Sequence, residues 1–319
     1  ADGKALIGDW KFPRLNYENP ALCEYLWQNM EYCLREFDCD GFRCDVGDRV
    51  PLDFWVEAVT ACQKVKPDLV MINEGVNPEY LEKAFDACYA WPWSRAIRNF
   101  LTPQLPEQRK AKNKTLDQRM VGVREYEAKI PSESLMFCYM DNHDTATDDW
   151  GYRFDRVNPV EAGNAAFVLT FLRRGLPLVF NGNEIADNSL NTFFAPVEDI
   201  ARARKTVDWA RALQPAGQKR LALIRALADL RHRDALFQDA PMEGITDGEA
   251  SGVIAFTRHA NGRRAFVAAN LTKKTVEFVP SKVTFDEKRK PILSEGFSLN
   301  GESVKLDPYG YVVVELRGE

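Results

Sequence analysis

The stretch Asp38–Val50, DCDGFRCDVGDRV, decides how the chain is read. Phe42 and Cys44 alternate with Arg43 and Asp45, the two-residue period of a β-strand, so Arg43 and Asp45 share one face. A buried strand does not end in two ionised side chains on one face unless they are paired or meet something polar. The stretch therefore predicts a polar partner at the strand's C-terminal end, supplied by another part of the chain.

The flanking sequence gives that strand its context. Asn19 followed by Pro20 is a helix start, and ALCEYLWQNMEYCLREF keeps helical apolar spacing up to the strand. A helix through DFWVEAVTACQKV, a strand DLVMINE, a helix PEYLEKAFD and a short strand in ACYAW follow. From Trp93 to Lys129 the sequence is polar and helical, with loops. SLMFCYMDNHD is a strand ending in a polar cluster, PVEAGNAAFVLTFLRRG a helix stopped by Gly175, and LPLVFNGNE a strand. Helix and strand alternate about five times, the pattern of a parallel sheet built from βα units. After the helix AGQKRLALIRALADLRHR the texture changes. SGVIAFTRH, RRAFVAANLT, TVEFV and GYVVVEL are β-rich runs between Gly, Asn, Lys and Pro. The expected division is an α/β part over residues 1–236 and an all-β domain over 237–319.

With 319 residues, 45% of them hydrophobic, the chain can bury a sizeable core as one large or two ordinary domains. A net charge of -5 gives no electrostatic reason to expect nucleic acid or an anionic membrane. No run approaches the roughly 18 apolar residues of a membrane helix. ADGKALIGDW at the start lacks a signal-peptide pattern. Seven cysteines without a C-x-x-C pair, and three scattered histidines, argue against a zinc site, so no metal ligands are assigned. Thiols at apolar positions read as reduced and packed. That favours a cytoplasmic setting, although an anaerobic extracellular niche fits as well.

Three strands end in acids or amides: Asp45, Glu74 of LVMINE, and Asp141, Asn142, His143 and Asp144 of MFCYMDNHD. In a parallel barrel the C-terminal strand ends form one rim, so these residues would converge. Two carboxyl groups about 5–5.5 Å apart suit retaining glycoside hydrolysis, one attacking the anomeric carbon and the other protonating the leaving oxygen. Arg43 would keep Asp45 ionised, and crowding by acids would raise the pKa of Glu74. A divalent metal bound by the same acids is the rival chemistry. Taken singly, each residue has a structural reading: an ion pair for Arg43 and Asp45, a helix-cap acid for Glu74, a core histidine for His143, a turn residue for Asp144. Three acidic strand ends together favour a site.

At these residues the sequence resembles a family. DGFRCD, INE and DNHD, in this order on successive strands, resemble signature segments of the alpha-amylase family of glycoside hydrolases. LNYENP, Leu15 to Pro20, is similar to the family's short segment ahead of the fourth barrel strand, and GLPLVFNGNE to its eighth strand and following turn. The resemblance implies Asp45 as nucleophile, Glu74 as general acid/base and Asp144 as the third carboxylate, which holds sugar hydroxyls. It implies that Arg43 supports Asp45 and that His143 and Asn142 lie at the substrate. Tyr17, Trp91, Trp93 and Trp150 are candidate sugar platforms by position.

The implied fold is a partial (β/α)8 TIM barrel, strands four to eight, followed by a small all-β sandwich domain. Nothing resembles the family's third-strand segment, so the expectation is the C-terminal part of a longer protein or one piece of a split one. The expected function is a retaining α-glycosidase acting on α-glucans or malto- and isomalto-oligosaccharides. The alternatives are a transglycosylase or isomerase with the same acids, or an incomplete barrel that is inactive alone and serves as a carbohydrate-binding or partner subunit. A complementary N-terminal half or a second copy is the expected protein partner. No cofactor is required, and calcium is possible without support from this chain. Asp48 and Arg49 stand where many starch-cleaving endo-enzymes of the family have Lys-His, which points toward short α-glucosides. Val46 is similar to members that prefer α-1,6 bonds.

Overall fold

Asn19 caps the first helix, α1 (Pro20–Phe37), by accepting the Ala21 N–H at 3.1 Å, and Pro20 occupies its first turn. The helix stops at Asp38, which turns the chain into the left-handed region at φ 48°. In this computed structural model, residues 7–8, 11–102, 114–147, 152–189, 207–286 and 288–317 are described. The chain forms two compact units, residues 1–89 with 130–135, and residues 90–129 with 136–319.

The first unit alternates as its sequence predicts: α1, β1 (Gly41–Cys44), α2 (Leu52–Gln63), β2 (Val70–Asn73), α3 (Pro78–Lys83) and β3 (Ala87–Tyr89). β1 pairs with β2 and β2 with β3, all parallel. Gly41 lets the first two strands start side by side, because a Cβ there would stand 1.8 Å from the Val70 carbonyl oxygen. The helices bury aromatic side chains against one another. Trp27 stacks on Phe54 with centroids 6.0 Å apart, and Trp55 meets Phe54 and Phe85 edge-on at 5.2 Å each.

The second unit holds α4 (Trp91–Leu101), α5 (Leu116–Glu127), β4 (Leu135–Cys138), α6 (Phe154–Val157), α7 (Val160–Leu172), β5 (Leu176–Pro177) and α8 (Pro215–Arg233). Its antiparallel strands are β6 (Met242–Ile245), β7 (Val253–Ala260), β8 (Arg263–Asn270), β9 (Val276–Phe278), β10 (Leu293–Asn300) and β11 (Ser303–Glu315). β4 and β5 pair in parallel. The strand expected over LPLVFNGNE shrinks to two residues, after which the Leu178 N–H still donates to Cys138 O at 2.7 Å. The antiparallel strands run in the order β10-β11-β8-β7-β6, and β11 also takes β9. Both faces of the central strands are buried: Val267, Ala269, Ile254 and Val313 share a core with α7, while Phe266, Ala268, Val253 and Val312 pack with Val304 and Leu306.

α7 is apolar on every side and almost wholly buried, so its terminal carbonyls have no water to accept from. Arginines from two other elements serve them. Arg231 of α8 donates to Phe171 O at 2.9 Å and Gly175 O at 2.7 Å, and Arg258 of β7 donates to Leu172 O at 2.6 Å. Burial and the neighbouring Arg231 pull Arg258 down to about 10. At the other end of α7, Arg220 and Asp155 form a fully buried two-pronged pair at 2.8 and 2.9 Å. All seven cysteines are free thiols, and burial pushes Cys62 up to about 11. Among the described residues, no helix is long and apolar enough to cross a membrane.

Two expectations follow. Asp155→Ala leaves the Arg220 charge buried without its carboxylate and should lower unfolding stability by about 3–5 kcal/mol in urea titrations; a loss under 1 kcal/mol would contradict the role of the pair. Glu249 is buried beside α5, with Arg124 Nη1 2.6 Å from Oε1 and Oε2 unpartnered. Burial pushes its pKa from 4.5 up to about 7, so the folded state holds this proton more tightly than the unfolded one. The stability it contributes is present below about pH 4.5 and is lost as pH rises through about 7. Glu249→Gln should remove that part of the pH slope in urea midpoints, and an unchanged slope would refute the assignment.

Candidate active site

Strand register builds the first half of the site. Arg43 lies level with Ile72, and Ile72 with Ala87. Two residues further along each strand stand Asp45, Glu74 and Tyr89. Residues in phase on paired strands point to the same face, so four polar side chains are delivered to one end of that face. The polar partner predicted for Arg43 and Asp45 is therefore Glu74, with Tyr89 beside it.

The Arg43 guanidinium touches all three. Nη1 donates to Asp45 Oδ1 at 2.6 Å, and Nε donates to the Tyr89 hydroxyl at 3.2 Å. Nη2 lies 2.7 Å from Glu74 Oε1, an ion-pair contact made too far off the N–H axis to be a hydrogen bond. Burial works against the charge on Arg43, but the hydrogen bonds to Tyr89 and Asp45 outweigh it and hold the guanidinium above its usual range.

The two acids differ in environment. The Asp45 side chain is 75% exposed, that of Glu74 only 9%. Burial pushes the Glu74 pKa up. The Val46 N–H and Arg43 pull the other way, and the neighbouring Asp45 adds to the rise. A carboxyl held above its ordinary pKa beside one facing solvent is the division of labour that acid catalysis and nucleophilic attack require.

The turn after β1 holds Glu74 in place. Val46 sits in the left-handed region at φ 45°, ψ 42°, a costly conformation for a β-branched residue, and its N–H donates to Glu74 Oε2 at 3.1 Å. Asp48 braces the loop after Glu74: it accepts from Asn73 Nδ2 at 2.8 Å, Val76 N at 2.8 Å and Asn77 N at 3.1 Å. Gly75 is required beneath it, since a Cβ there would come within 2.0 Å of Asp48 Oδ1. The residue that departs from the Lys-His pattern is thus committed to loop geometry.

The remaining strand-end residues belong to the second unit. Asp141 is completely buried and bound by Arg98 Nη1 at 2.6 Å and Asn183 Nδ2 at 2.8 Å. Asn142 is 1% exposed, and its Oδ1 accepts from the Asp144 and Thr145 N–H groups at 3.1 and 2.8 Å. It shapes the turn, and its Nδ2 is buried with no hydrogen-bond partner among the described residues. His143 and Asp144 are partly exposed on that turn, 3.6 Å apart.

Among the aromatic candidates, Tyr17 is half-buried in the first unit with its ring edge-on to Phe54 at 5.0 Å. Trp91 meets Tyr139 edge-on at 5.6 Å and carries Arg95 5.2 Å from its ring. Trp93 is a core residue, 2% exposed, beneath Arg173 at 4.3 Å. Trp150 lies outside the described residues. Tyr89 and Asp48 were missed as site residues. Tyr89 ends a strand in phase with the acids and could have been found by the strand-end rule, whereas the bracing by Asp48 depends on loop geometry that carries no period.

Comparison with known proteins agrees with this arrangement of strands. The family model for the alpha amylase catalytic domain matches residues 7–300. An intracellular maltogenic amylase of Bacillus subtilis is 25% identical over 250 residues, 77% of this chain and 39% of that protein. A maltogenic alpha-amylase of Bacillus acidopullulyticus is 26% identical over 314 residues, 95% of this chain and 50% of that protein. The chain thus spans 39 to 50% of the length of these curated relatives. A solved noncanonic maltogenic alpha-amylase from Thermotoga neapolitana has the same fold, with a TM-score of 0.74 at 23% identity over 96% of this chain and 68% of that one.

The left-handed Val46 gives a test of the turn. Asn tolerates this conformation and keeps the N–H, so Val46→Asn should raise stability by about 1 kcal/mol, read from urea midpoints. A destabilised Val46→Asn protein would show that the strain is absent.

Proposed function

The chain belongs to the alpha-amylase family, and from that membership we propose that it carries the reacting acids of a retaining α-glycosidase. The substrates are α-glucans or malto- and isomalto-oligosaccharides. The five parallel strands take the places of strands four to eight of a (β/α)8 barrel over residues 1–236, and residues 237–319 form the β-sandwich domain. Asp45 attacks the anomeric carbon and Glu74 gives its proton to the leaving oxygen. The proton then returns to Glu74 from the water that hydrolyses the glycosyl–Asp45 ester. Asp144 and His143 hold sugar hydroxyls, Asn142 fixes the turn that presents them, and Tyr17 and Trp91 are sugar-packing surfaces. The reaction needs no cofactor.

One observation carries this reading: Arg43 bridges an exposed and a buried carboxyl, and the buried one has the raised pKa. In the proposed cycle the sugar enters between the two carboxyls, and Arg43 stays with Asp45 through its directed 2.6 Å hydrogen bond while the off-axis contact to Glu74 gives way.

On a maltooligosaccharide, Glu74→Gln should lower kcat/KM by about 10²–10⁴-fold, and Asp45→Asn by at least as much. The raised pKa of Glu74 places the loss of activity on the alkaline side above the ordinary glutamate range. The first product seen by proton NMR should keep the α-anomeric configuration. Full activity in Asp45→Asn or a β-anomeric first product would contradict the proposal.

A further inference from the structure

We propose that Tyr89 is the positioning residue for Arg43. Its hydroxyl takes the Nε–H and thereby keeps the guanidinium turned so that its two Nη groups serve different carboxyls, Asp45 and Glu74. The inference rests on the reading of those two residues as the reacting acids. It concerns what holds their shared arginine.

A guanidinium is a rigid planar fork, so fixing one N–H fixes the direction of the others. Nε and Nη2 form one side of that fork. Here this side straddles two partners, the Tyr89 hydroxyl at 3.2 Å from Nε and Glu74 Oε1 at 2.7 Å from Nη2. The Tyr89 ring also lies below the cation, 5.3 Å from Cζ to centroid. Tyr89 is itself held firmly: it is 4% exposed and ends β3, whose Cys88 is paired with Asn73, the residue before Glu74. The position is set by backbone register, so the hydroxyl is a fixed stop for Arg43.

Removing the hydroxyl leaves Nε–H without this acceptor in a half-buried place. The nearest replacement is Glu74 Oε1, already against Nη2. The Nε/Nη2 side of the fork would close on Glu74 as a two-pronged carboxylate pair. That rotation draws Nη1 away from Asp45 and stabilises the ionised form of Glu74, the form that cannot act as an acid. Tyr89 thus keeps Arg43 from neutralising the distinction between the two acids. Within this unit the groups facing Glu74 are Arg43 and Asp45 beside β1, the Val46 N–H, and the Tyr89 phenol on β3.

The test is an NMR titration of the full chain, following Glu74 by its carboxyl carbon and Arg43 by its Nε–H, in the unsubstituted protein and in Tyr89→Phe. Phenylalanine keeps the ring and its packing and removes only the oxygen. The expected result is a changed Arg43 Nε–H resonance and a Glu74 pKa lower by about one unit. Where turnover is measured, the alkaline limb of kcat should move down with it and KM should change less. A Glu74 titration that stays in place in Tyr89→Phe overturns the positioning role. The titration needs no turnover, so the two claims fail separately. A shifted Glu74 in a protein whose Asp45→Asn variant retains full activity would support Tyr89 as the arginine's positioner and sink Asp45 as the nucleophile.

Discussion

One positive charge shared between two carboxyls is the constraint on which the rest of the site depends. Arg43 sits between Asp45 and Glu74, one facing solvent and the other mostly buried, so the same guanidinium acts on two unlike carboxyls. Solvent reaches Asp45 far more than Glu74, and burial favours the protonated form of Glu74. Strand register makes this possible. With β1, β2 and β3 parallel and in phase, residues far apart in sequence arrive on one face at one level, and Gly41 is what lets β1 and β2 start close together.

Around that arginine the chain accepts local strain. Val46 takes a left-handed conformation that its branched side chain disfavours, and in return its N–H reaches Glu74. Asp48 and Gly75 hold the next loop against it. Such strain persists only where the surroundings over-determine it, and here the surroundings are the aromatic stack of α1 and α2 and a ladder of parallel strands. The second unit meets a different demand. Its central helix α7 is buried from Ala162 to Leu172, so arginines from α8 and β7 finish its carbonyls, and the Arg220–Asp155 pair secures its start.

Much of this was legible in the sequence because it is periodic. The alternation of Phe42, Arg43, Cys44 and Asp45 gave the strand and its polar face, and Asn19-Pro20 gave the helix start. The acidic strand ends gave Asp45 and Glu74. What escaped has no period. β10 reads Leu-Ser-Glu-Gly-Phe-Ser-Leu-Asn and is only half-buried on one face, so its apolar signal is weak. The strand after α7 is only two residues long. Tyr89 looked like one more strand aromatic until the register placed its hydroxyl on Arg43. The Asx turn that Asn142 holds with its side-chain oxygen likewise has no period.

The most direct measurement of the central claim is covalent. Incubation of the chain with a 5-fluoro-α-glucosyl fluoride, followed by digestion and peptide mass spectrometry, reads which carboxylate attacks the sugar. This account predicts a glycosyl ester on Asp45. A label on any other residue, or none in a chain that hydrolyses maltooligosaccharides, would contradict it.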